Sequence, residues 1–396
     1  MRIVPVAIVI VVVLVLAGVQ WFRPIPAPVL RPLVSTVVHV PGSPPLLPWP
    51  TTGSGALAVE GGGSLGHVGR TQPVPIASIT KVLTAYVVLQ DHPLAPGDNG
   101  PAIAVTSDTV TTYQEGAASQ QSEVTVAPGE TLTELQVLQG LLVASGNDMA
   151  TLLADWDAGG TPAFVAKMTA TARALGLDST HVTDPSGLDP GTVSTPSDLI
   201  RLGEAAMAIP VFAQVVSMPQ VTLPLTGTIY NLDFLLGRDG FVGIKTGSDT
   251  AAGGCFLFEA QAVVGGTTLT LVGAVLGQET GTPAASAVND ADALVRAAFA
   301  AARPLQLFSP GQRLGRIMTS WGASAVVTAP SAPSAVGWPG LSVPITLEVG
   351  TLPSTIPSGA GVGLLGIVSG SKHRLVVLRS EGSLPGPSVV WRLTRL

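Results

Sequence analysis

Residues 75–90, PIASITKVLTAYVVLQ, constrain the fold most, because from Ile79 onward nearly every face of a helix built from them is apolar. Such a helix has no side to offer water, so other elements must surround it. Yet its first turn holds Lys81, three residues after Ser78. Residues three apart share a helix face, which brings the Ser78 hydroxyl and the Lys81 amine together. Burial disfavours the charged amine, and a neutral amine beside a hydroxyl is the base that activates it. A serine at a helix N-terminus also has a backbone N–H and the positive dipole end aimed at a developing oxyanion. The alternative, a lysine that snorkels to solvent, fits poorly in an all-apolar first turn.

Lysine is scarce enough to be informative. Only Lys81, Lys167, Lys245 and Lys372 occur among nineteen basic residues, the rest being arginine. An amine sheds its proton inside a protein and a guanidinium effectively does not, which is one reason to retain a lysine. Charged residues make up 11% of the chain, well under the usual share of about 25%. The net charge of −6, without clustered Lys or Arg, argues against nucleic acid as a partner. The single cysteine, Cys255, excludes an internal disulfide and a multi-cysteine metal site, and its apolar neighbours mark it as a packed thiol. The five histidines form no metal-binding spacing.

The 396 residues suffice for two domains. Residues 3–22 carry no charge, a length that spans a bilayer core as a helix. Length favours an uncleaved anchor over residues 1–22. The alternative is a cleavable signal peptide, with a weak small-residue site at Val15 and Ala17. Either leaves the rest of the chain exported. Residues 23–50 hold nine prolines and read as a stiff, extended spacer. From 51 to 303 helical and strand patterns mix. Residues 53–70 read as two strands about a glycine turn, and Thr133 with Gln136 as a capping pair. FVAKMTATARALGL (164–177) reads as a helix ended by Gly176, and residues 241–278 as an antiparallel meander of three strands. Residues 284–303 read as a closing helix. From 304 to 396 the patterning is β-rich, and PSVVWRLTRL at the end reads as a strand.

Two further motifs follow the first. Ser145-Gly146-Asn147 falls between two helical segments, where a loop projects both side chains into a cleft; alone, it is also an ordinary helix–helix turn. Lys245-Thr246-Gly247 lies on a strand, where Gly247 lets another backbone approach and suits a substrate that adds itself as an extra strand. The first motif occurs twice, but Ser369-Gly370-Ser371-Lys372 sits in a Gly/Ser-rich stretch between apolar runs and reads as a hairpin turn. In the order S-x-x-K, S-x-N, K-T-G, the three motifs together are the set of penicillin-binding proteins and serine β-lactamases.

With these motifs, and with PGETLTELQVLQGLLVASGNDMA, ALGLDSTHVTDPSGL, STPSDLIRL and GIKTGSDTAAGG in the same order, the chain resembles the low-molecular-mass penicillin-binding proteins of the serine D-alanyl-D-alanine carboxypeptidase family. The resemblance covers about residues 50–300. It implies an α+β fold, a β-lactamase/transpeptidase-like domain with an antiparallel sheet flanked by helices, beside a smaller C-terminal β domain. It also implies removal of the terminal D-alanine from peptidoglycan stem peptides, inhibition by β-lactams, and no metal or other cofactor. Ser78 would be the nucleophile and Lys81 its base, with Ser145 and Asn147 completing the catalytic set. Lys245, Thr246, Gly247 and Ser248 would bind substrate, and the N–H groups of Ser78 and Ser248 would form the oxyanion hole. The implied location is the cell membrane, single-pass through the N-terminal helix, with the catalytic domain extracytoplasmic, or secreted if that helix is cleaved.

The chain departs from the family pattern at Asp233, where relatives often have Asn, and at Thr169, also usually Asn. Both bear on substrate preference rather than catalysis. No Glu occurs between Glu134 and Glu204, so the deacylation base of a β-lactamase is missing from its usual loop. An endopeptidase cutting peptide cross-links would share all three motifs. A non-catalytic membrane-anchored binding protein is the remaining alternative, and the intact motif residues count against it.

Overall fold

The computed structural model describes residues 3–60, 63–331, 334–369 and 372–395. Its helices are α1 (Ile3–Phe22), α2 (Thr80–Asp91), α3 (Ser107–Ala118), α4 (Glu134–Leu142), α5 (Asn147–Ala158), α6 (Thr161–Ala174), α7 (Pro196–Met207), α8 (Pro210–Val216), α9 (Pro283–Ala301) and α10 (Val389–Thr394). The chain forms two compact units, one of residues 44–302 and one of residues 1–43 with 303–396.

The 44–302 unit is α+β. Its five-stranded antiparallel sheet runs in the order Phe241–Asp249, Gly253–Val264, Thr267–Gln278, Ser54–Val59, Gly63–Gly69. The first three are the meander read from sequence, and Phe241–Asp249, which carries the K-T-G motif, forms one edge. Residues 61 and 62, in the glycine turn expected between the other two strands, lie outside the described residues. Helix α9 packs on the two central strands and α7 on Thr267–Gln278 and Ser54–Val59.

Helix α2 is the buried element that its composition demands. Val82, Ala85 and Val88 are fully buried, and α4, α5, α6 and α7 surround it. Its entry differs from expectation: Ala77–Ile79 form a 3₁₀ turn and the α-helix begins at Thr80, so Ser78 stands in the turn rather than on the helix proper. The turn is fastened by the Thr80 hydroxyl, which donates to the Ala77 carbonyl at 2.8 Å. Thr133 and Gln136 form the capping box at the start of α4. Cys255 is wholly buried within its strand.

The other unit corrects two readings. Its seven-stranded sheet runs Val29–Pro32, Arg313–Met318, Ser324–Thr328, Lys372–Glu381, Gly361–Ser369, Ser342–Glu348, Val37–His39. Segments 29–32 and 37–39, expected within the Pro-rich spacer of residues 23–50, are therefore its two edge strands. Proline lacks an N–H donor but is tolerated at an edge, and Pro32 ends such a strand. The first correction follows: the β-rich unit is not confined to 304–396. Within the terminal stretch read as a strand, Val389–Thr394 form a helix, α10, capped by Ser388, which accepts the Trp391 N–H at 3.2 Å; residue 396 lies outside the described residues. The second S-x-x-K copy has Ser369 and Lys372 paired at adjoining strand ends, while residues 370 and 371 lie outside the described residues. Helix α1 includes the apolar helix Ala7–Phe22; among the described residues no single helix is long and apolar enough to cross a membrane.

Candidate active site

Three separate pieces of chain carry the three motifs. Ser78 comes from the 3₁₀ turn and Lys81 from the first turn of α2. Ser145 lies in the connection from α4 to α5, and Asn147 is the first residue of α5. Lys245, Thr246, Gly247 and Ser248 lie on the edge strand.

Lys81 holds two of these pieces together. Its Nζ donates to Ser78 Oγ at 2.8 Å and to Asn147 Oδ1 at 2.6 Å, and the side chain is fully buried. Burial lowers its pKa to about 8, against the opposing fields of Asp184, Glu123 and Asp148. Ser78 is half-buried, open to a molecule from outside.

The K-T-G strand docks directly against the nucleophile turn. A Cβ on Gly247 would lie 3.0 Å from the backbone nitrogen of Ser78 and 3.2 Å from the Ile76 carbonyl oxygen. The backbone that approaches Gly247 on its Cβ side is the chain's own. Lys245 is buried and its Nζ donates to the Thr246 carbonyl at 2.9 Å. Burial and the charge of Lys81 lower the Lys245 pKa to about 7, with Asp233 opposing. Ser248, next along the strand, is exposed.

Several participants were invisible in the sequence. Ala77 (φ +46°) and Ser145 (φ +64°) hold left-handed backbone that non-glycine residues rarely adopt, one immediately before the nucleophile and one in the second motif. Asp184 fastens the loop after α6, its Oδ2 accepting the N–H groups of Ser186, Gly187 and Leu188 at 2.8 to 3.1 Å. Glu123 and Asp148 stand behind Asn147. Asp148 directly follows the second motif, which was the one available signal.

A buried, hydrogen-bonded Ser–Lys–Asn group facing an edge strand with a second buried lysine is machinery for acyl transfer: nucleophile, base and a strand edge to receive a peptide. Comparison with known proteins agrees. The family model for D-alanyl-D-alanine carboxypeptidase, peptidase S11, matches residues 60–280, more than half the chain. D-alanyl-D-alanine carboxypeptidase DacB2 of Mycobacterium tuberculosis is 44% identical over 193 residues, 46% of this chain and 62% of the relative. A D-alanyl-D-alanine endopeptidase of Pseudomonas aeruginosa is 37% identical over 161 residues, 41% of this chain and 49% of the relative. In each case the chain spans less than two thirds of the relative's length. Among solved structures, the Streptomyces K15 DD-transpeptidase superposes with a TM-score of 0.55 at 29% identity, over 64% of this chain and 99% of that one. Motif order, site geometry and family match agree: the chain belongs to the peptidase S11, or D-alanyl-D-alanine carboxypeptidase, family.

Proposed function

We propose that the protein is a serine-type D-alanyl-D-alanine carboxypeptidase that removes the terminal D-alanine from peptidoglycan stem peptides. The observation that carries this reading is the 2.8 Å contact between the fully buried Lys81 Nζ and the half-buried Ser78 Oγ. Lys81, with its pKa lowered to about 8, takes the Ser78 proton as Oγ attacks the carbonyl between the two D-alanines. The N–H groups of Ser78 and Ser248 hold the resulting oxyanion. Ser145 passes the proton that Lys81 has taken up on to the departing D-alanine amine, and Asn147, already bonded to Lys81, keeps the lysine in register. Lys245 and Thr246 recognise the terminal carboxylate through charge-assisted hydrogen bonds, with the substrate laid along the free edge of the Phe241–Asp249 strand. Water then hydrolyses the acyl-enzyme. β-Lactams acylate the same serine and leave slowly.

The N-terminal apolar helix would tether the enzyme at the membrane with its catalytic unit outside the cytoplasm. The endopeptidase relative favours a second reading, cleavage of D-alanyl cross-links by the same machinery. Incubating the protein with an N-acyl-Lys-D-Ala-D-Ala peptide and with a cross-linked dimer separates the two. Free D-alanine from the first, abolished by Ser78→Ala, is the expected result. Cleavage of the dimer alone would transfer the assignment to endopeptidase, and no cleavage of either would refute both.

A further inference from the structure

Behind Asn147 lies a pair of acids that the proton transfers above leave unused. Asn147 Nδ2 donates to Gln121 Oε1 at 3.2 Å and to Glu123 Oε1 at 3.3 Å, while the other Glu123 oxygen accepts the Asp148 backbone N–H at 2.9 Å. Gln121 Oε1 and Glu123 therefore present acceptors to the amide nitrogen, and Lys81 presents donors to the amide oxygen. A flipped amide would set oxygen against oxygen on one side and N–H against N–H on the other. The fold makes room for this contact. Gly116 lies inside α3, where alanine would stabilise the helix by about 1 kcal/mol, yet a Cβ there would lie 1.9 Å from Glu123 Oε1.

The Glu123 and Asp148 carboxyls also touch each other. Carboxyls in contact do not both ionise, so one proton is held between them. Asp148 is fully buried, and both its oxygens lie near the Val124 N–H, at 3.1 and 3.3 Å. Burial raises the Asp148 pKa to about 8 and that of half-buried Glu123 as well; it is Glu123 that accepts the Asn147 and Asp148 N–H groups, so the shared proton sits on the more deeply buried Asp148.

We propose that Glu123 is a positioning residue for acylation of Ser78: it holds the Asn147 amide with its oxygen toward Lys81, and it keeps one negative charge behind that lysine. The proposal rests on Ser78 as nucleophile and Lys81 as its base. The charged and titratable groups facing Lys81 are Glu123 and Asp148 behind Asn147, Asp184 on the loop after α6, and Lys245 on the edge strand. Asp184, held by backbone N–H groups and hydroxyls, supplies the largest acidic field on Lys81, and Glu123 the next. The Glu123 charge favours the protonated amine and so raises the pH above which Lys81 becomes the free base.

The test is the pH dependence of the second-order rate at which a penicillin acylates Ser78. The wild-type rate should rise with pH and level off above the Lys81 pKa. Glu123→Gln removes the charge but keeps a side chain of the same shape, and the rising limb should move down by about one pH unit, the low end of what a nearby opposite charge does. Gly116→Ala leaves the carboxylate in the chain but denies it its place, and should move the limb the same way. Limbs identical to wild type in both variants would overturn the proposal while leaving the acylation mechanism standing. No acylation in the wild-type protein would overturn both.

Discussion

At the scale of single residues, the site works by placing ionisable groups where water does not reach them. Lys81 and Lys245 are both buried, and each gives up proton affinity for it. Their charges oppose each other, so loss of either proton favours retention of the other. Asp233 is the third member. It is 4% exposed, its Oδ1 accepts the Leu235 N–H at 3.0 Å, and its Oδ2 is buried with no partner. Burial raises its pKa from 3.8 to about 6. Between those values the folded chain keeps a proton that the unfolded chain has released, so stability falls as pH rises through the window and stays lost above it. Asp233→Asn should therefore stabilise the protein by about 1–3 kcal/mol at pH 7 and by little below pH 4, measured by urea unfolding. It should also raise KM for the peptide, because Lys245 loses the carboxylate that favours its charge. Equal stability of the two proteins at pH 7 would contradict this account of Asp233.

At the scale of elements, the decisive contact is the K-T-G strand against the turn of Ser78. A Cβ at Gly247 meets backbone atoms of Ile76, Ser78 and Ile79 at 3.0 to 3.2 Å, and backbone does not yield as a side-chain tip would. Gly247→Ala should push strand and turn apart and lower kcat/KM by about 100-fold, the scale of an ångström misplacement of reacting groups. The far-ultraviolet spectrum should stay unchanged. Undiminished kcat/KM would show that the contact tolerates a methyl group. Local pattern made most elements legible: the apolar run gave α2, Thr133 and Gln136 gave the start of α4, and alternation gave the meander. Where several conformations share one pattern, the sequence misled. Val389 and Val390 suggested a strand, but Ser388 caps a helix there, α10. The nine prolines of residues 23–50 suggested a spacer, but an edge position removes the penalty of Pro32. The left-handed backbone at Ala77 and Ser145 has no local signature, because packing rather than residue type imposes it. Glu123, in the connection after α3, was equally hidden, since its part depends on space left by Gly116 within that helix.

At the scale of the molecule, the site does not exist in any one segment. Ser78, Asn147 and Lys245 meet only when the helices around α2 close on the edge of the five-stranded sheet, all within the 44–302 unit. The other unit gathers its edge strands from residues 29–32 and 37–39, so the chain before the catalytic unit is built into a sheet with residues beyond 303. The central claim is that this assembly makes Ser78 a nucleophile through a neutral Lys81. Intact-mass analysis after brief exposure to a penicillin, followed by peptide mapping, tests it most directly. The account requires one adduct, on Ser78. It should form at least about 100-fold more slowly in Lys81→Arg, whose guanidinium cannot serve as the base. An adduct elsewhere, none at all, or an undiminished rate in Lys81→Arg would contradict it.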